Sequence, residues 1–105
     1  MTLLEGYIAK WNKYPTDEVK IRVARPSPLS PSKNLLKDYK EGKITWPQYT
    51  TRFINEILSN PRALMKLDEI RELIKNQDVR LLCYEKNPPC HRFILLDMIK
   101  EASPS

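Results

Sequence analysis

The hydrophobic positions of this chain change their period along its length, and each change marks an element. In EVKIRVAR (18–25), Val19, Ile21 and Val23 alternate with Lys20 and Arg22, the period-two pattern of a half-exposed strand. GYIAKW (6–11) carries a weaker strand pattern, and NKYPTD between the two reads as a turn. RPSPLSPS then places three prolines close together. Proline fixes φ and lacks an amide hydrogen, so this stretch is a stiff loop.

The period lengthens after the prolines. SKNLLKDYKEG sets Leu35, Leu36 and Tyr39 on one helical face, with Gly42 where a left-handed terminal residue belongs. TWPQYTTRFINEILS is the clearest helix, because Trp46, Tyr49, Phe53, Ile54, Ile57 and Leu58 form a continuous apolar stripe. Thr45 can cap its start, and Pro47 suits the first turn. NPRALMKLDEIRELIK opens on an Asn-Pro signal, with Ala63, Leu67, Ile70 and Ile74 facing inward. Stripes of this kind are core.

DVRLLCYE (78–85) is apolar at nearly every position, as a strand covered on both faces would be. CHRFILLDMIKEA follows with Ile94, Leu95, Met98, Ile99 and Ala102 at helical spacing. The order β, β, α, α, α, β, α predicts an α/β domain with a small, mostly parallel sheet of three or slightly more strands flanked by helices. The connection from the second strand to the third is expected to cross over right-handed. No linker or repeat divides the chain, so residues 1–105 read as one domain with 103–105 a frayed tail.

Composition narrows the class. With 41% hydrophobic and 30% charged residues over 105 positions, the chain has enough apolar surface for one core. No apolar run reaches the roughly 18–20 residues of a membrane span, and Glu5 and Gly6 interrupt the stretch where a signal peptide would need continuity. The expected location is the cytoplasm, with no membrane partner and with Cys83 and Cys90 as thiols. The net charge of +5 is compatible with an anionic ligand or nucleic acid, but the basic residues are scattered and no nucleic-acid motif accompanies them.

One loop gathers the versatile chemistry. CYEKNPPCHR (83–92) holds both cysteines, the one histidine, Glu85 and Arg92 between the last strand and the last helix. If the second and third strands run parallel, Arg25 and the Cys83-Tyr84-Glu85 run open on the same sheet edge, the usual ligand position in open α/β sheets. Cys90, His91 and Arg92 begin a helix, whose first N–H groups and dipole favour negative charge. The pattern reads as an anion-accepting rim that contains a thiol.

Each residue carries a structural reading as well. Cys83 shares strand parity with Val79 and Leu81 and is expected to be buried as a small apolar side chain. Cys90, at a helix start beside His91 and Arg92, is the expected reactive thiol. Glu85 is a candidate general acid or base, or else an ion-pair partner of Arg25 or Arg92. His91 is a candidate catalytic group or a helix-capping side chain. Arg25 and Arg92 are the candidate anion contacts, supported by Cys83 and Tyr84.

Cys83, Glu85, Cys90 and His91 could together ligate zinc. Their spacing, however, lacks the short knuckle of structural sites, and successive helical residues point about 100° apart, so neither metal nor cofactor is expected. A Cys83–Cys90 disulfide is sterically feasible across the loop and is expected only on oxidation or in a thermophile.

The motifs LLCYEKNPPCHR, GKITWPQYTTRF (42–53) and VARPSP resemble, in order, the C-terminal signature, the middle segment and the arginine after the second strand of the domain-of-unknown-function family 488. The likeness spans roughly residues 7–100. It implies a compact α/β fold with a parallel sheet and, residue by residue, Arg25, Cys83, Glu85, Cys90, His91 and Arg92 as site positions. It implies no reaction. Longer members open with a strand bearing a Thr-Ile-Gly-His/Ser run, where this chain has YIAKWNKYP.

The leading expectation is a thiol-containing anion pocket at the carboxyl edge of the sheet, acting on a phosphorylated or nucleotide-like ligand. Its rivals are a nucleic-acid-associated module, and an interaction domain in which the Cys-Glu-Arg cluster is structural.

Overall fold

A computed structural model of the chain describes residues 2–24, 26–84 and 90–101. Strand β1 (Leu3–Tyr7) leads through a 3-10 segment (Ile8–Lys13) to β2 (Val19–Arg22). Three helices follow, α1 (Lys33–Lys40), α2 (Trp46–Leu58) and α3 (Pro61–Ile74). Strand β3 (Val79–Cys83) and helix α4 (His91–Glu101) complete the α/β architecture. The sheet order is β1-β3-β2, and both pairings are parallel. The second and third strands are therefore parallel, as expected, and are direct neighbours, with Val19 opposite Val79 and Arg22 opposite Leu82.

The first strand lies earlier than the 6–11 that the alternation predicts. Its register ends with Tyr7 opposite Cys83, the last residue of β3. Beyond Tyr7 no strand among the described residues continues the pairing, and Ile8–Lys13 closes local 3-10 turns. Gly6 permits a close approach at this point. A Cβ there would meet the Leu82 side chain and the Tyr14 ring at 2.8 Å. The Tyr14 hydroxyl accepts the Tyr7 N–H at 3.0 Å, and the Arg80 guanidinium stacks 4.1 Å from the centre of the Tyr14 ring.

The helices begin where capping chemistry places them. Ser32 accepts the Leu35 N–H at 3.1 Å, and Asn60 accepts that of Arg62 at 3.1 Å. Thr45 and Gln48 form a reciprocal capping box at the start of α2, with Pro47 in the first turn. Gly42, with φ 74°, supplies the left-handed residue after α1.

The core fills the space between one sheet face and the helices. Val79, Leu81 and Cys83 point to that face from β3, alongside Ile21 and Val23. Phe53 and Ile57 of α2, Leu67 and Ile70 of α3, and Leu95 and Ile99 of α4 pack against them. Each such side chain contributes roughly 1.5–3 kcal/mol by leaving water. The arrangement directs the carboxyl ends of all three strands, the start of α4 and the first turn of α2 toward one edge.

Candidate functional site: a dithiol–imidazole cluster under an aromatic cleft

Cys83 ends β3, Cys90 immediately precedes α4, and His91 is the first residue of α4. Their side chains converge. The two sulfurs lie 3.0 Å apart, and His91 Nδ1 is 3.8 Å from Cys83 Sγ and 3.7 Å from Cys90 Sγ. All three residues are buried. The expectation that Cys90 and His91 diverge by one helical step fails because Cys90 lies outside the helix, where the 100° rotation does not apply.

Distant parts of the chain orient the imidazole. Its Nε2 lies 2.8 Å from the carbonyl oxygen of Val23, the residue just after β2. A carbonyl only accepts, so Nε2 carries the hydrogen and donates it. In the neutral ring, Nδ1 is then a lone pair aimed at both sulfurs. Phe53 of α2 fixes the ring from the side by an edge contact, with centroids 5.5 Å apart.

The thiol reading changes in one respect. Cys90 is expected to be the exposed, acidified thiol, yet it is 3% exposed, against 2% for Cys83. Its hydrogen bond to Cys83 and its burial push the Cys90 thiol well above its ordinary range. The Arg92 N–H and the Arg92 charge pull the other way and are outweighed. A helix start acidifies a cysteine only where water or a cation stabilises the thiolate. Here a second thiol occupies that place.

Arg92 packs into the interior with 2% exposure, and its Nε donates to Glu5 Oε2 of β1 at 2.6 Å. Burial alone would lower the guanidinium, but the hydrogen bond to Glu5 and nearby charges hold it above the usual arginine value. Its ion-pair partner thus comes from β1, a residue the sequence pattern did not single out. Glu85 and Arg25 lie outside the described residues. Tyr84 is exposed at the end of β3, with Arg22 stacked 4.9 Å from the centre of its ring.

Above the cluster lies a cleft of about 480 Å³. Cys83, Cys90 and His91 line its inner end, and Tyr84 stands beside them. Leu36, Tyr39 and Lys40 of α1 and Trp46 and Tyr49 of α2 form another wall. Ala24, Ser30 and Pro31 of the proline-rich loop complete the lining. Trp46 and Tyr49 stack at 4.8 Å with an interplanar angle of 14°, and the Tyr39 ring tilts against Trp46 at 5.5 Å. Read as core stripe, these aromatics do pack inward, but Tyr39 and Trp46 are only half-buried and open onto the cleft. The available signal was position. Both flank the Gly-Lys-Ile-Thr turn that carries the second motif of the resemblance.

A family model described as the active DUF488-N3 subclade matches residues 12–103. The chain belongs to the DUF488 family. No curated protein matches it, and no solved structure does. In this DUF488 chain the matched region takes in all three motifs, the proline-rich loop and the whole cluster. Among the described residues, no helix is long and apolar enough to cross a membrane.

Proposed function

We propose that this DUF488 chain binds a planar, nucleotide-like ligand in the cleft and presents the Cys83–Cys90–His91 cluster to it as the reactive centre. One observation carries the reading: two thiols and an oriented imidazole line the same cleft as three aromatic rings from α1 and α2. Aromatic faces suit a base, because stacking is worth about 1–3 kcal/mol per base. Lys40 lines the same cleft and would meet an attached phosphate. The description of the matching subclade as active favours a working centre over a purely structural cluster. The reading includes the expected cytoplasmic location, because two adjacent thiols that act as thiols need a reducing compartment.

The charge distribution gives the nucleic-acid reading less support. Basic residues of α3 and the turn after it pair with acids three positions away, as in Lys66–Glu69, Arg71–Asp68 and Lys75–Glu72. Such pairs leave little net field along that surface.

The test is fluorescence titration of the reduced protein with purine and pyrimidine mononucleotides. Trp46 lines the cleft and Trp11 is exposed elsewhere, so a Trp11→Phe variant isolates the reporting ring. Saturable quenching in the micromolar to millimolar range, weakened at least tenfold by Tyr39→Ala, is the expected result. No saturation with any nucleotide up to several millimolar would defeat the reading.

A further inference from the structure

We infer that Cys83, Cys90 and His91 form a three-donor site for a divalent zinc-class cation, with its fourth position turned toward the cleft. The inference goes beyond ligand binding in the cleft and does not depend on it.

Three independent features of the cluster point to a metal. The first is donor geometry. Tetrahedral zinc with bonds of about 2.3 Å to sulfur and about 2.0–2.1 Å to nitrogen separates its donor atoms by roughly 3.5–3.8 Å. The observed S···N separations are 3.8 and 3.7 Å. They are long for thiol–imidazole hydrogen bonds and close to what ligation requires. The S···S separation is 3.0 Å, so the sulfurs must part by about 0.7 Å to admit the ion.

The second feature is the support of the imidazole. A ligating histidine characteristically donates its other ring N–H to a carboxylate or backbone carbonyl, which fixes both tautomer and ring plane. His91 does this through Nε2 and the Val23 oxygen at 2.8 Å, while Phe53 holds the ring edge-on. The lone pair is thereby aimed at the point between the two sulfurs before any ion arrives.

The third feature is charge. Two thiolates and a neutral imidazole would exactly balance a divalent ion, so the filled site would be neutral inside a buried environment. Arg92, a buried cation beside the cluster, is paired with Glu5. Two sulfurs and one imidazole nitrogen select zinc-like ions over calcium or magnesium, which prefer oxygen. Among the described residues the site has three protein donors, and three donors with one further position is also the pattern of catalytic rather than structural zinc. Among the described residues, the side these donors leave uncovered is the one they present to the cleft.

The experiment is an anaerobic titration of the reduced chain with Co²⁺, a spectroscopic stand-in for zinc, after thiol counting has established two free thiols. Saturation at one equivalent is expected, with thiolate-to-cobalt charge transfer in the near ultraviolet and the intense visible bands of a tetrahedral ion, both bleached by Zn²⁺. Cys83→Ser and Cys90→Ser should each lose one of the two thiolate contributions, and His91→Gln should alter the visible bands. Should a variant not fold, X-ray absorption of the zinc-loaded natural chain decides instead, with two sulfur scatterers at about 2.3 Å expected. A weak octahedral spectrum without charge transfer, or unchanged cobalt spectra in both cysteine variants, would overturn the site. Mononucleotide titration of the metal-free protein reads the cleft proposal separately, so either can fail alone.

Discussion

Helices α2 and α4 both start at the cleft, yet they are capped in opposite ways. At α2, Thr45 accepts the Gln48 N–H at 3.3 Å while Gln48 accepts the Thr45 N–H at 2.8 Å, both in exposed surroundings. Every group in that exchange is a good hydrogen-bonding partner, and water covers the remainder. At α4, the cap position holds Cys90, a thiol, buried against a second thiol and an imidazole. Sulfur is a weak acceptor and a weak donor, so this start gives up capping strength. A helix start that serves stability uses hydroxyls and amides at the surface. One that buries thiols beside a histidine gives up that capping strength, and the proposed site would account for the loss.

The contrast can be tested from its strongest support outward. Phe53→Ala should be the most damaging change, because it empties a fully buried position in the core and removes the edge contact on His91. A loss of about 3–5 kcal/mol is expected from urea unfolding. A loss below about 1 kcal/mol would mean that the core beneath α4 is looser than its packing indicates.

His91→Ala should follow. It leaves the buried Val23 carbonyl without the imidazole donor, a cost of about 1–3 kcal/mol, and also removes the oriented lone pair. Nucleotide binding and cobalt spectra should change together with stability. If stability falls while both ligand readouts stay intact, the start of α4 is as purely structural as that of α2.

Thr45→Ala addresses the other helix. Loss of the capping box should cost about 1 kcal/mol. Co²⁺ binding should be unaffected, because among the described residues the hydrogen bonds of Thr45 run to Gln48 and Tyr49 and not to the three donors. An altered cobalt spectrum would show that the two helix starts are coupled through α2.

The smallest effect is on pH dependence. In the reduced, metal-free chain the folded Cys90 thiol stays protonated above its ordinary value of 9.0, while in the unfolded chain it ionises near that value. The resulting stability is fully present below pH 9.0 and is lost as pH rises beyond it, since the unfolded state releases its proton first. Comparing natural chain and Cys90→Ala by urea midpoint on either side of that pH cancels the tyrosine and lysine titrations common to both. The natural chain should lose more stability on the alkaline side. Parallel curves would mean that Cys90 ionises as readily folded as unfolded.

The local features were legible in the chain itself. Apolar periodicity located α1, α2, α3 and β3 within a residue or two, and Thr45, Asn60 and Gly42 mark helix ends through contacts spanning four residues or fewer. Such signals are encoded where they act. The parallel relation of β2 and β3 was readable too, because three intervening helices leave room for a crossover. The gathering of cysteines, histidine and arginine in one loop was plain from order alone.

Tertiary structure decided the rest. Alternation could not place the end of β1, because that end is set by where β3 stops. The ion-pair partner of Arg92 lies 87 positions away at Glu5, and the acceptor that turns His91 lies 68 positions away at Val23. Neither sits within reach of a local pattern, since only the packing of α4 across the sheet brings them together. The same packing buried Cys90 against Cys83, which reversed the effect expected of a helix start on a thiol. It also turned the front of a core stripe, at Tyr39 and Trp46, into the wall of a cleft. Periodicity tells which face of a helix is apolar. What that face meets is set by elements far along the chain.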